Sequence, residues 1–198
     1  MTTRKFKILF ISLFLLVMAG SAAVYLFRGD AFPGEEHVSA KVKEIDGYQK
    51  WTKVNSAPQS MPAEISALCA MPRFTPASNS VHGDKSQDKY FTVYVNGTGR
   101  EAMLTQKVPQ FPEGSVIVKE KLTDRNSKTP ELLTVMIKQK KGSNPAAGDW
   151  EYMVTDGTGT KVEGRGMLEN CQACHVGQQG GDYIFRTYLE EDTKKNLK

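Results

Sequence analysis

Cys171-Gln172-Ala173-Cys174-His175 lies near the C-terminal end of a 198-residue chain, with only residues 176–198 behind it. The spacing C-x-x-C-H puts two thiols and an imidazole at positions i, i+3 and i+4, which share one face of a helical turn. Both thiols can then add to the vinyl groups of one haem while the adjacent imidazole coordinates its iron, the pattern of c-type attachment. A redox dithiol and half of a zinc site are the alternatives, but zinc needs further ligands and the other histidines are only His37 and His82. The position of the motif constrains the fold as strongly as its chemistry does. Small electron-transfer cytochromes begin with the motif and fold helices after it, and the 23 residues of 176–198 do not suit that plan.

At the other end, Ile8 to Phe27 is an uncharged apolar run long enough to cross a bilayer as a helix. Arg4, Lys5 and Lys7 precede it, so the positive-inside bias sends everything after Arg28 across the membrane. The span length favours an uncleaved anchor. The small residues Ala19 to Ala23 make a cleaved signal peptide the alternative. Export accounts for the net charge of +4 as well, because without Arg4, Lys5, Lys7 and Arg28 the remaining 22 basic residues balance 22 acidic ones. A neutral exported domain with no nucleic-acid motif gives no reason to expect a nucleic-acid partner. Export also agrees with the haem assignment, since an odd count of three cysteines makes a poor disulfide framework. Cys69, in Ala67-Leu68-Cys69-Ala70-Met71, reads as a buried inert thiol, with pairing or iron ligation behind that.

The body of the chain has strand periodicity. Tyr90 to Val95 alternates Phe91, Val93 and Val95 with Thr92 and Tyr94, and Asn96-Gly97-Thr98-Gly99 forms a turn. Gly114 to Lys121, Leu132 to Lys140 and Trp150 to Val154 are further short, β-branched or aromatic segments bounded by turn residues. Helix is expected at Gly47 to Asn55, from the spacing of Tyr48, Trp51 and Val54, and from Met167 to Val176 around the haem motif. Ser56 to Lys89 reads as a long irregular connection, and Glu190 to Lys198 as a charged, frayed end. The expected fold is mainly β, of the α+β kind: an antiparallel sheet with a few short helices, a C-terminal haem-attachment helix and an N-terminal signal or transmembrane helix. The expected organisation is a signal anchor or peptide at 1–28, a linker at 29–46, a haem domain at 47–190 and a charged tail at 191–198.

The order of these features resembles the cytochrome P-460 and cytochrome c′-beta family. The resemblance is carried by Tyr48-Gln49-Lys50-Trp51, Phe91 to Asn96, Phe111-Pro112-Glu113-Gly114-Ser115-Val116-Ile117-Val118-Lys119-Glu120, Gly148-Asp149-Trp150, Cys171 to His175, and Gly181-Asp182-Tyr183-Ile184-Phe185. It implies an antiparallel β fold, usually dimeric, with one covalent haem c whose open distal face binds small nitrogen species. One kind of member oxidises hydroxylamine and carries a lysine bonded to the haem ring; the other binds nitric oxide behind a phenylalanine-rich cap. Lys119 aligns with the bonding lysine, and an amine pressed against an apolar wall is a better nucleophile toward an oxidised macrocycle. Alternation puts Lys119 on the strand face of Ser115 and Ile117, opposite Val116, Val118 and Glu120.

Two departures bear on activity. Where hydroxylamine-oxidising members place an arginine before the TVYV strand and a carboxylate on the strand after the lysine, this chain has Phe91 and Thr134. Glu131 would serve if the second alignment slipped, but Pro130 beside it suggests a loop. Phe91 is thus a candidate distal cap of the apolar kind. Trp51, Trp150 and Phe185 read first as packing aromatics, His82 as a solvated turn residue, and Met61, Met71, Met103, Met136, Met153 and Met167 as packing. Three functions follow. The first is a nitrogen-oxide enzyme that passes electrons to a periplasmic carrier, and the second a nitric-oxide-binding protein; the alternative to both is an electron-transfer cytochrome with six-coordinate haem.

Overall fold

Alternation along the central strands decides the architecture. A computed structural model describes residues 40–69 and 88–198, in which seven strands form one antiparallel sheet: β1 (Thr52–Lys53), β2 (Gln59–Met61), β3 (Lys89–Val95), β4 (Val116–Leu122), β5 (Leu132–Lys138), β6 (Trp150–Asp156) and β7 (Val162–Gly166). The order is β1-β3-β4-β5-β6-β7, with β2 also paired to β3. The mainly β fold expected from the sequence is the fold observed. The anchor or signal segment, His37, Met71 and His82 lie outside the described residues.

Register stacks the alternating residues into two faces. Val93 pairs with Lys119 and Lys119 with Thr134, while Val95, Ile117, Met136 and Tyr152 form the next row. That face carries the larger core, with Phe91, Trp150, Tyr183, Ile184 and Tyr188. On the reverse face Val116, Val118, Leu133, Val135, Ile137 and Met153 pack against Ile45 and Tyr48. At the outer edge of β3, between β1 and β2, buried Asn55 imitates a strand: its Nδ2 donates to Phe91 O (3.1 Å) and its Oδ1 accepts from Val93 N (2.8 Å). Those ladder groups are satisfied by a side chain where a strand neighbour is missing.

The secondary structure differs from expectation in several places, the unexpected edge strand β7 among them. Gly47 to Asn55 is not a helix: a single 3₁₀ turn, Tyr48–Lys50, gives way at Trp51 to extended backbone leading into β1. The three-residue spacing of Tyr48, Trp51 and Val54 fits that turn as well as it fits an α-helix. The described part of the connection Ser56 to Lys89 contains β2 and helix α1 (Ala63–Leu68), and α2 (Arg100–Leu104) follows the turn after β3. The C-terminus is not frayed. After the haem-motif helix α3 (Glu169–His175), the chain ends in α4 (Glu191–Lys195) and pairs its last residue with a loop, Lys198 N donating to Thr105 O (2.8 Å) and Lys107 N to Lys198 O (2.7 Å).

Candidate functional site

Helix α3 lays Cys171, Cys174 and His175 along one edge of the first sheet face. Here a cavity of about 420 Å³ opens between the sheet and the segments that cross it. Its walls include Met61, Ile65 and Cys69 from the β2–α1 stretch, and Phe91, Val93, Ile117, Lys119, Thr134, Met136 and Tyr152 from the sheet. The C-terminal segment adds Ile184, Phe185 and Tyr188. The residues singled out in the sequence, Cys171, Cys174, His175, Lys119 and Phe91, therefore line one cavity, and Thr134 faces into it too.

His175 is fixed with one nitrogen spoken for. Its Nδ1–H donates to the carbonyl of Tyr183 at 2.7 Å, so its Nε2 carries the lone pair. The ring sits between Tyr152 and Phe185, with centroids at 5.6 and 5.1 Å. Burial holds its pKa below the ordinary histidine range, against the pull of the Tyr183 hydrogen bond, and the Lys119 charge lowers it further. Burial also pushes the Cys171 thiol up to about 11 and raises Cys174, with Cys69 adding to both. A redox C-x-x-C pair works through a lowered thiol pKa, so these shifts oppose the dithiol alternative.

Across the cavity, the Lys119 amine lies 3.2 Å from Met61 Sδ, 3.9 Å from Cys69 Sγ and 4.8 Å from the centroid of the Phe91 ring. Its nearest partners are soft or aromatic. Cys69, expected to be a buried inert thiol, is only half-buried and stands in the cavity wall beside that amine. Two residues along the same strand face, Lys121 is buried, donates to Ser66 O (3.1 Å) and shares Glu131 with Lys89 at 3.8 and 3.5 Å. Burial lowers the Lys121 pKa while Glu131 raises it. Glu131 precedes β5 and is engaged by these two cations; it is not among the residues lining the cavity. Among the described lining residues there is no carboxylate and no arginine.

A haem fits this donor set. The walls are largely apolar, both thiols are free, the imidazole has Nε2 available, and the buried Tyr152 hydroxyl has no hydrogen-bond partner among the described residues. A buried hydroxyl left without a partner marks a place for a polar group that is not part of the chain. Sequence reading did not single out Tyr152, although its alternation with Trp150 and Val154 puts it on this face. Met61, read from the sequence as packing along with five other methionines, stands in the cavity wall. Trp150 is core, as expected, and Met103 packs away from the cavity.

The family model described as Cytochrome P460 matches residues 45–186. No curated protein matches the chain. The match spans most of the chain, including every strand, the cavity-lining lysine and the C-x-x-C-H helix. The protein belongs to the cytochrome P460 family, and is a haem cytochrome.

Proposed function

We propose that this cytochrome P460 family member carries one haem c, bonded to Cys171 and Cys174 with His175 as axial ligand, and binds small nitrogen species at the open face, nitric oxide before hydroxylamine. The observation that carries the reading is a single apolar cavity with the attachment triad along one side and Lys119 with Phe91 on another. When bound, the haem supplies an iron able to take nitric oxide or hydroxylamine and to exchange electrons with a protein carrier.

The chain's own residues divide the remaining work. Tyr183 O keeps the proton on Nδ1 of His175 and so presents Nε2. Phe91, Val93 and Ile117 line the sheet wall with carbon, which excludes water and favours a neutral diatomic over a charged ligand. Thr134 offers only a hydroxyl where proton removal from hydroxylamine would call for a carboxylate. This is why binding ranks ahead of oxidation. Lys119 carries the oxidative branch: a bond from its amine to the haem ring would make this the hydroxylamine-oxidising kind of member.

The apolar run Ile8 to Phe27 behind Arg4, Lys5 and Lys7 supports a periplasmic protein held on the inner membrane, or secreted if the run is cleaved. The proposed partners are a periplasmic electron-transfer protein and a second copy of the chain. Met61 supports the alternative reading. Its thioether lines the same cavity, and as a sixth ligand it would turn the protein into an electron carrier.

Optical spectra of the protein, matured with a haem-attachment system, separate these readings. An ordinary high-spin c-type ferrous spectrum that shifts with nitric oxide is the expected result. A strongly red-shifted ferrous Soret band that Lys119→Ala abolishes would establish the lysine bond and the oxidative branch. A low-spin six-coordinate ferrous haem indifferent to nitric oxide would overturn the reading in favour of Met61.

A further inference from the structure

Three separate stretches of the chain converge on Asp182, seven residues after His175. Its carboxylate accepts from Lys138 Nζ at 2.6 and 2.8 Å and from Phe111 N at 2.8 Å. Its own carbonyl accepts from Trp150 Nε1 at 2.8 Å. Lys138 ends β5, and its amine also lies 5.0 Å from the centroid of the Trp150 ring, which stacks edge-on against Phe111. The ion pair is mostly buried, at 14% and 15% side-chain exposure, and charge-assisted hydrogen bonds in that setting are the strong ones.

What the clamp holds is a backbone that would not hold itself. Asp182 and Tyr183 both have left-handed φ, 52° and 64°, a region that non-glycine residues rarely occupy and that persists only where surroundings over-determine it. This reversal turns the Tyr183 carbonyl back onto His175 Nδ1. Tyr183 is gripped from a third direction by Gly148, where a Cβ would come within 2.4 Å of the Tyr183 ring.

We infer that the Lys138–Asp182 ion pair is a positioning device for His175: it fixes the Tyr183 carbonyl and thereby sets how strongly the imidazole donates to iron. A firm hydrogen bond from Nδ1–H to a carbonyl raises the basicity of the ligating nitrogen. Loosening the carbonyl weakens the donor. The ferric state, which depends more on that donation, then loses more than the ferrous state, and the reduction potential rises. Asp182 and Lys138 are not among the residues lining the cavity, so their influence on the iron–histidine bond runs through the Tyr183 backbone, whereas the direct effect of the lost charge on the potential has opposite signs in Asp182→Asn and Lys138→Met.

The inference rests on the reading of His175 as axial ligand, and one set of proteins tests both. Wild type, Asp182→Asn, Lys138→Met and Lys138→Arg are matured with haem, and the ferrous iron–histidine stretching band, the midpoint potential and the melting temperature are measured for each. Asp182→Asn and Lys138→Met are expected to move the band to lower frequency and raise the potential; Lys138→Arg restores both toward wild type. A structural role alone would lower the melting temperature and leave the band and potential in place, and that result overturns the inference while leaving the haem reading intact. A wild type without covalent haem, or without an iron–histidine band, overturns both. Should Asp182→Asn not take up haem, Lys138→Met decides by the same two readouts, because it leaves the carboxylate on Phe111 N–H.

Discussion

The two faces of the sheet are built from the same strands and differ in what they leave open. Along β4, Val116, Val118, Glu120 and Leu122 point one way, into a layer closed by Ile45 and Tyr48; Ile117, Lys119 and Lys121 point the other. On the closed face the buried carboxylate of Glu120 is satisfied locally, accepting from Tyr48 Oη at 2.8 Å. The second face keeps a cavity lined by a lysine, three thiols, three thioethers and a tyrosine hydroxyl with no hydrogen-bond partner among the described residues. A chain of this size can hold open a reactive cavity because the reverse of the same sheet carries a core cluster of its own. Stability and chemistry are separated by a single residue step along the strand.

Removing the groups that define the open face should abolish function at little cost to folding. The double change Cys171→Ser and Cys174→Ser is expected to eliminate covalent haem completely, as read by haem stain after denaturing electrophoresis. Unfolding of the haem-free chain should move by no more than ~1 kcal/mol, because sulfur to oxygen is a small change in volume and Cys174 is exposed while Cys171 is only partly buried. Large destabilisation of the haem-free protein would show that the faces are not independent. Leu133→Ala on the closed face should cost about 2–5 kcal/mol in denaturant unfolding, the usual range for a new hole in a packed core. Met136→Ala, three residues along β5 on the open face, should cost no more than ~2 kcal/mol in the haem-free chain, because it enlarges a cavity that already exists. Equal costs would erase the distinction.

The edge of the sheet links the two faces and comes next in size. Asn55→Ala would strip Phe91 O and Val93 N of their partner, and a buried backbone pair left unsatisfied costs about 1–3 kcal/mol. The loss should appear in unfolding experiments and as faster amide exchange at Val93. Because Phe91 and Val93 line the cavity, nitric oxide affinity should fall as well.

The central strands were legible because burial on two faces demands β-branched and aromatic residues at regular spacing, which Phe91-Thr92-Val93-Tyr94-Val95 displays openly. β7 carries Val162-Glu163-Gly164-Arg165-Gly166, an exposed edge sequence with no apolar alternation, so nothing in it announces a strand. The ordered C-terminus escaped for a related reason: its pairing with Thr105 and Lys107 is made by backbone groups, which every residue has. In the site, the motif helix and Lys119 could be read from spacing and from the resemblance. The opposite wall could not. Met61 and Cys69 come from a stretch without periodicity, brought to the cavity by pairing of β2 with β3 and by the Lys121–Ser66 bond between residues 55 positions apart. The clamp at Asp182 was similarly hidden, although its parts, Phe111, Trp150 and Asp182, lie in three of the segments that carry the resemblance. Their order in the chain was visible and their meeting point was not.

The smallest expected effect tests the closed face at its buried carboxylate, Glu120. Burial raises the Glu120 pKa above the ordinary carboxylate value, against the lowering influence of the Tyr48 hydrogen bond, the Lys53 charge and Tyr94. A carboxyl raised on folding binds its proton more tightly in the folded state. Its favourable contribution is therefore complete below the unfolded pKa and is lost as pH rises through the folded one. Glu120→Gln keeps an oxygen to accept from Tyr48 and removes the charge, so at pH 7 it should stabilise the protein by less than ~1 kcal/mol. The gain should shrink toward zero as the wild type is titrated below about pH 4, the range of an unperturbed glutamate. Denaturant unfolding of both proteins from pH 4 to 7 measures this directly. A gain that stays constant across that range would mean the Glu120 charge is not what the closed face resists; a loss of stability at pH 7 would mean that Tyr48 and Lys53 stabilise the carboxylate enough to outweigh its burial, and that the closed face is built around an ion as deliberately as the open one is built around a lysine.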